Sequence, residues 1–200
     1  MESSFRLSSA TVKRPQRADA VRNRASVLEA ARAAFAEEGL DADVASIAEL
    51  AGVGVGTVYR HFPTKEALLA ALISDHFERL VEIAERAEAE GSSPWEAIEQ
   101  MVWNCAQRSA EDHGLCEILS QPPPLLGTLP ASLRLREVSG RLVAAGVADG
   151  SVRPDATVAD IPMMMCGFGK MAALQRRGVG PLGLDWRRYL TIMLDGLRAR

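Results

Sequence analysis

Two hundred residues, 48% of them hydrophobic, with a net charge of −3, are ample for a buried core. They fit one large domain or a small head on a larger body. Cys105, Cys116 and Cys166 are too few and too scattered for a disulfide framework, which points to a reducing compartment. No apolar run reaches membrane-spanning length, and the basic, polar start lacks the apolar stretch of a secretory signal; the expected location is the cytoplasm, with no membrane partner.

Charge is unevenly distributed. Residues 1–24 carry Arg6, Lys13, Arg14, Arg17, Arg22 and Arg24 against Glu2 and Asp19, a net +4, so the remainder sums to −7. A basic leading arm on an acidic body suits a front end that meets a polyanion, although a solvated tail has the same composition. Met1 to about Gln16 is Ser-rich and basic without periodicity. Residues 1–18 therefore read as a flexible basic arm, either touching phosphates or simply solvated. A first helix is expected from near Asp19 to Glu38, with Leu28, Ala31 and Phe35 inward and Gly39 as its stop.

Two short helices follow. Val44, Ile47, Ala48 and Ala51 form the apolar stripe of one, and Gly52-Val53-Gly54 breaks the pattern. Val55, Val58 and Phe62 would anchor the other until Pro63 ends it. Its opposite face carries Gly56, Thr57, Tyr59, Arg60 and His61. Crossing helices of this kind form a helix-turn-helix, whose second helix lies in the DNA major groove. Gly56 permits close backbone approach, and Thr57 can hydrogen-bond or touch a thymine methyl. Tyr59 and His61 can donate to phosphates, and Arg60 can reach guanine or phosphate. Lys65, at the next helix start, can add its charge to exposed N–H groups facing a phosphate. A helical hairpin with a solvated polar face shares this patterning.

The run AGVGVGTVYRHFPTKEALL resembles the signature of the tetracycline-repressor (TetR) family of bacterial one-component transcriptional regulators. The preceding VLEAARAAFAEEGLDADVASIAEL is similar to that family's first two helices. The resemblance covers about the first third of the chain, and implies that Gly56, Thr57, Tyr59, Arg60, His61 and Lys65 meet double-stranded operator DNA. Asp43 and Gly54 depart from it where many relatives carry a hydroxyl. Asp43 can still cap the second helix, but its carboxylate offers phosphate no attraction.

Thr64 is a plausible N-cap for a long helix through Glu90, with Leu68, Leu69, Leu72, Leu80 and Ile83 at helical spacing; it would link head to body. Ser93-Pro94-Trp95-Glu96 has capping-box spacing and opens a helix to about His113, with Trp95, Ile98, Val102 and Cys105 on its stripe. A short apolar segment, Leu115 to Leu119, precedes a proline-rich connection over Pro122–Pro130. Helix resumes over Ala131–Val147, with Leu135, Val138, Leu142 and Ala145 inward. Asp160 can cap the next helix, striped by Ile161, Met164, Met165, Phe168, Met171 and Ala172; Asp185 can cap the last, striped by Leu190, Met193, Leu194 and Leu197. No strand pattern appears, so the expected fold is all-α, with about nine helices. The expected division is a flexible arm over 1–18, a three-helix DNA-binding domain over 19–66, and a larger effector-binding and dimerisation domain over 67–200.

The last two helices carry broad apolar faces, and Gly167, Gly169 and Ala173 permit close approach. The resemblance implies that they pair with a second copy as a four-helix bundle. A dimer would read a palindrome. Trp95, Met101, Trp103, Cys105, Cys116, Leu119 and Phe168 are candidates to line an effector pocket, although apolar residues at helical spacing more often simply pack as core. Few charges lie on these stripes, so a small, mostly apolar effector is expected. His113 and Cys116 share metal-ligand spacing, but no second pair completes a zinc set. No phosphate-binding glycine loop or nucleophile elbow is present, so no catalytic residues, metal or cofactor are expected. The sequence thus points to a ligand-responsive, dimeric DNA-binding regulator, most often a repressor by resemblance. A helical small-molecule-binding or scaffold protein that has lost DNA binding is the alternative, favoured by Asp43 and Gly54.

Overall fold

The computed structural model describes residues 14–112, 129–176, 178 and 185–200. Among them are eight α-helices: α1 (Arg14–Glu38), α2 (Val44–Leu50), α3 (Val55–His61), α4 (Lys65–Glu90), α5 (Pro94–Glu111), α6 (Pro130–Ala148), α7 (Asp160–Arg176) and α8 (Trp186–Leu197). The only β-type pairing among the described residues is an isolated bridge between Val152 and Arg198. The expected segment Leu115–Leu119 lies outside the described residues, as do His113 and Cys116.

The head folds around α1. Val27, Leu28, Ala31 and Phe35 bury against Val44, Ile47 and Ala48 of α2, Val58 of α3, and Phe62. Phe35 is fully buried, and truncating such a side chain to Ala costs about 3–5 kcal/mol. The helix starts at Arg14, five residues before the expected Asp19. Gly39 and Gly52 take φ of 65° and 67°, a left-handed conformation that glycine adopts without steric cost. At Gly52 the chain forms a Schellman stop. Val53 N–H donates to the Ala48 carbonyl and Gly52 N–H to the Glu49 carbonyl, both at 3.0 Å, while Val53 packs on the head core.

Three local expectations are corrected. Asp43 occupies the N-cap of α2, but its side chain makes no capping bond. Val55 does not anchor α3: as its first residue it faces solvent, leaving Val58 and Phe62 to pack. Ala145 is exposed, and Val143 and Gly146 face inward instead. A side chain at position 146 would drive its Cβ to 2.5 Å from Val152 Cγ2, so glycine there lets the following turn fold back onto α6.

The caps of α4, α5 and α8 are built as their sequences suggest. Thr64 Oγ1 accepts from Ala67 N–H at 3.1 Å, and Ser93 Oγ from Glu96 N–H at 3.2 Å. The Glu96 carboxylate reaches back to Ser92 N–H at 3.1 Å, one residue before the expected partner. Asp185 accepts from Arg187 N–H at 3.0 Å. Asp160 is not itself the cap of α7. Thr157 Oγ1 accepts from Ala159 N–H at 3.3 Å, and Asp160 reaches back to Thr157 N–H at 2.5 Å.

The long helix α4 belongs to two cores. Its first half places Leu68, Leu72 and Ile73 in the head, and its second half places Leu80, Ala84 and Ala87 in the body. Phe77 packs against both. In the body, Ile98, Met101 and Val102 of α5, Val138 and Leu142 of α6, Phe168 of α7, and Leu190 and Leu194 of α8 close around it. Arg134 bridges Glu78 and Glu85, each at 3.0 Å, and Arg141 forks onto Glu88 at 2.7 and 2.8 Å. Exposed pairs of this kind add little stability singly, but together they fix the register of α6 along α4. Among the described residues, no helix is long and apolar enough to cross a membrane.

Candidate nucleic-acid interface

Val58 and Phe62 hold α3 against the head, so the helix's other side is turned outward. Gly56, Tyr59 and Arg60 are exposed, and Thr57 and His61 half-buried. A β-carbon built on Gly56 would meet no atom within 4 Å, so the backbone is open to close approach. Tyr59 is 46% exposed, which leaves its hydroxyl free for a phosphate oxygen. The sequence of α3 contains no carboxylate, and its last turn holds Arg60 and His61. A short helix with a cationic end and an exposed hydroxyl-bearing face is chemically fitted to a polyanion with readable base edges.

Lys65 is placed differently from the other five. Its ammonium donates to the Leu40 carbonyl at 2.6 Å and lies 5.9 Å from the centre of the Phe35 ring. One of its three protons therefore ties α4 to the end of α1, and two remain for solvent or phosphate. The α4 N-terminus carries its own anion. Glu66's own backbone N–H and the Thr64 hydroxyl hold the Glu66 carboxyl below its ordinary range. The helix end is therefore partly neutralised before any phosphate arrives.

Arg24, counted in the sequence only as part of the basic arm, belongs to this surface. Its guanidinium stacks over the Phe62 ring at 5.4 Å, bringing a cation from α1 to the end of α3. Helical periodicity gives no sign of that neighbour, because the two residues are far apart in the chain. Asp43 and Gly54, at the N-caps of α2 and α3, are both exposed.

The candidate pocket residues fall in the body. Met101, Cys105 and Phe168 are buried in its core, as is Trp95, and Trp103 is half-buried. Trp186 joins Phe168 at 5.1 Å and Trp103 at 6.0 Å between ring centres, an aromatic cluster of α5, α7 and α8. Burial pushes the Cys105 thiol up to about 12, so it is an inert apolar group. Cys116 and Leu119 lie outside the described residues. Neither of two open clefts on the described surface is lined by these residues. One, of about 420 Å³, lies between α7 and α8 beside Met163, Met164 and Met193. The other, of about 440 Å³, is lined by charged residues of α4 and α5, among them Asp75, Arg79 and Arg108.

Residues 27–72 match the family model of bacterial regulatory proteins of the tetR family. The chain is 26% identical over 184 residues to the HTH-type transcriptional repressor KstR2 of Mycolicibacterium smegmatis, covering 87% of this chain and 90% of that protein. It is 37% identical to a TetR transcription regulatory protein of Mycobacterium vanbaalenii, covering 92% of this chain and all of the other at a TM-score of 0.62. FadR of Bacillus subtilis, in complex with stearoyl-CoA, shares the fold at a TM-score of 0.69 and 20% identity, over 86% of this chain and 95% of that one. The chain belongs to the TetR family of bacterial regulatory proteins, and it is a DNA-binding transcription regulator rather than an enzyme.

Proposed function

We propose that this regulator is a repressor that grips a palindromic operator as a homodimer and lets go when a small, mostly apolar effector enters the body. The observation that carries the reading is the outward face of α3, free of carboxylates and ending in Arg60 and His61. In this reading Thr57 and Arg60 touch base edges. Tyr59, His61 and the spare protons of Lys65 hold phosphates, and Gly56 lets the backbone close on the groove. The head over residues 19–66 does the reading, and residues 67–200 house effector and partner.

An unpartnered apolar face supports the dimer. Met163 on α7 and Ile192 on α8 are 70% and 53% exposed, with Tyr189 beside Ile192 and no atom within 4 Å of a β-carbon at Gly167 or Gly196. Large apolar side chains flanking open glycines suit helices of a second copy. The aromatic cluster of Trp103, Phe168 and Trp186 supports an apolar effector site opening around Trp95, Met101, Cys105, Cys116 and Leu119. Trp95 Nε1 is buried without a hydrogen-bond partner among the described residues, so a polar acceptor on the effector would find a donor there. KstR2 of Mycobacterium tuberculosis is described as a ketosteroid regulator, and FadR takes stearoyl-CoA. The steroid and the stearoyl chain both support a ligand with a sizeable hydrocarbon part.

Duplexes selected from a random library by the full-length protein test this directly. The expected product has two inverted half-sites about one helical turn, roughly 34–36 Å, apart, bound by two chains as weighed by light scattering. Ile192→Glu should leave a folded single chain that binds the duplex at least tenfold more weakly. A single non-repeated motif bound by one chain would remove the dimeric reading. A thermal-shift screen with a steroid, a long-chain alcohol and highly charged metabolites tests the effector; stabilisation by the charged compounds alone would overturn its apolar character.

A further inference from the structure

A buried polar cluster lies away from the α3 face, where the head meets the body. Arg32 of α1 has a side chain only 14% exposed and pairs with Asp75 of α4. Its Nε lies 3.6 Å from Oδ2 of Asp112, the residue that ends α5, whose side chain is 7% exposed. Arg79 reaches the same oxygen of Asp75, Oδ2, at 3.1 Å. His76, buried against the Phe77 ring, completes the cluster; its Nδ1 has no hydrogen-bond partner among the described residues. Arg108 of α5 faces the same imidazole.

Arg32 Nε has no acceptor within hydrogen-bonding reach. The Asp112 carboxylate is at ion-pair distance, and a shift of well under 1 Å would close a full N–H···O bond. Asp75 keeps a carboxylate on Arg32 in any case, but opening the largely buried Asp112 side costs the second partner, so movement at the end of α5 is felt at Arg32. A contact that can close to a full hydrogen bond or open as α5 moves has the property that a coupling element needs. Helix α4 is the covalent route from body to head, and Arg32 supplies a second, non-covalent one from a different helix.

We propose that Arg32 is a positioning residue for DNA binding. Through Asp112 at the end of α5, and Asp75 on α4, it makes α1, and with it α3, follow the state of the body. Effector-driven movement of α5 would turn the heads by loading or unloading this pair. This rests on α3 being the DNA-contacting helix. Coupling is reciprocal: whatever the body does to the head, bound DNA does to the body. The effector's identity is therefore not needed to test it.

The experiment is hydrogen–deuterium exchange on the full-length chain, with and without a duplex selected by the wild-type protein. It compares Asp112→Leu, the milder Asp112→Asn and the charge-retaining Asp112→Glu. In the wild type, duplex should slow exchange at least threefold in the last two turns of α5, far from the DNA-contacting face, as well as in α3. The two neutral variants should lose the α5 effect and keep the α3 effect, while Asp112→Glu keeps both. An α5 segment indifferent to DNA in the wild type, or neutral variants that respond like it, overturns the proposal. Without DNA, the neutral variants should speed exchange around Arg32 at least threefold, and unchanged rates overturn it too. A wild-type chain that binds no selected duplex would instead sink the α3 reading, and the DNA-free comparison would still decide whether Arg32 and Asp112 couple α1 to α5.

Discussion

The ammonium of Lys65 donates to the carbonyl of Leu40 at 2.6 Å, so a residue expected to face DNA also fastens the head together. A hydrogen bond from a charged donor contributes about 1.5–3 kcal/mol, the lower end where solvent reaches it. Lys65→Met should therefore lower the urea-unfolding free energy by about 1–2 kcal/mol and also weaken duplex binding. Equilibrium unfolding and fluorescence anisotropy on the same variant separate the two effects. A loss of affinity with no loss of stability would mean that the Leu40 contact contributes nothing.

Gly56 gives the opposite combination. Its α-helical position and open surroundings accept a methyl group, and Ala is the better helix former by up to about 1 kcal/mol. Gly56→Ala should hold or raise the melting temperature while weakening duplex binding, because the added carbon stands where the backbone approaches the groove. A variant that is both more stable and equally tight would place Gly56 outside the contact surface.

His76 links acidity to stability. Burial, opposed by Asp112 and Asp75 and reinforced by Arg108 and Arg32, pushes its imidazole down from the ordinary 6.5 to about 4. The unfolded chain takes up a proton near pH 6.5, and the folded chain waits until about pH 4. Stability is thus full above the higher value and falls as pH drops toward the lower one, by at most about 3 kcal/mol. Urea midpoints measured across this window should decline in the wild type and decline less in His76→Gln. Identical slopes would show that another group carries the acid sensitivity.

What the chain reveals in advance divides along the range of each interaction. Caps at Thr64, Ser93 and Asp185 were legible because donor and acceptor lie within three residues of each other. The stop at Gly52 was legible because only its own φ decides it. The outward set on α3 followed from the inward positions of Val58 and Phe62, although Val55, at the helix's first turn, escaped the same periodicity. The pairing of Lys65 with Leu40, of Arg24 with Phe62 and of Arg32 with Asp112 was not legible. Each joins distant parts of the chain, and helical spacing says nothing about which exposed faces meet. For the same reason the pocket candidates Trp95, Met101 and Cys105 could be named but not assigned to cavity or core.

The most direct measurement is the salt dependence of duplex binding for the wild type and Arg60→Ala. Anisotropy titrations on the selected duplex should give log Kd rising steeply with log salt concentration in the wild type. Arg60→Ala should unfold at the same urea concentration, bind about tenfold more weakly and relax the base preference at an unchanged slope, as a base contact requires; a slope smaller by about one for each copy of the contact would assign Arg60 to a phosphate instead. Wild-type and Arg60→Ala proteins with the same affinity, slope and sequence preference would contradict a DNA-reading role for the outward face of α3.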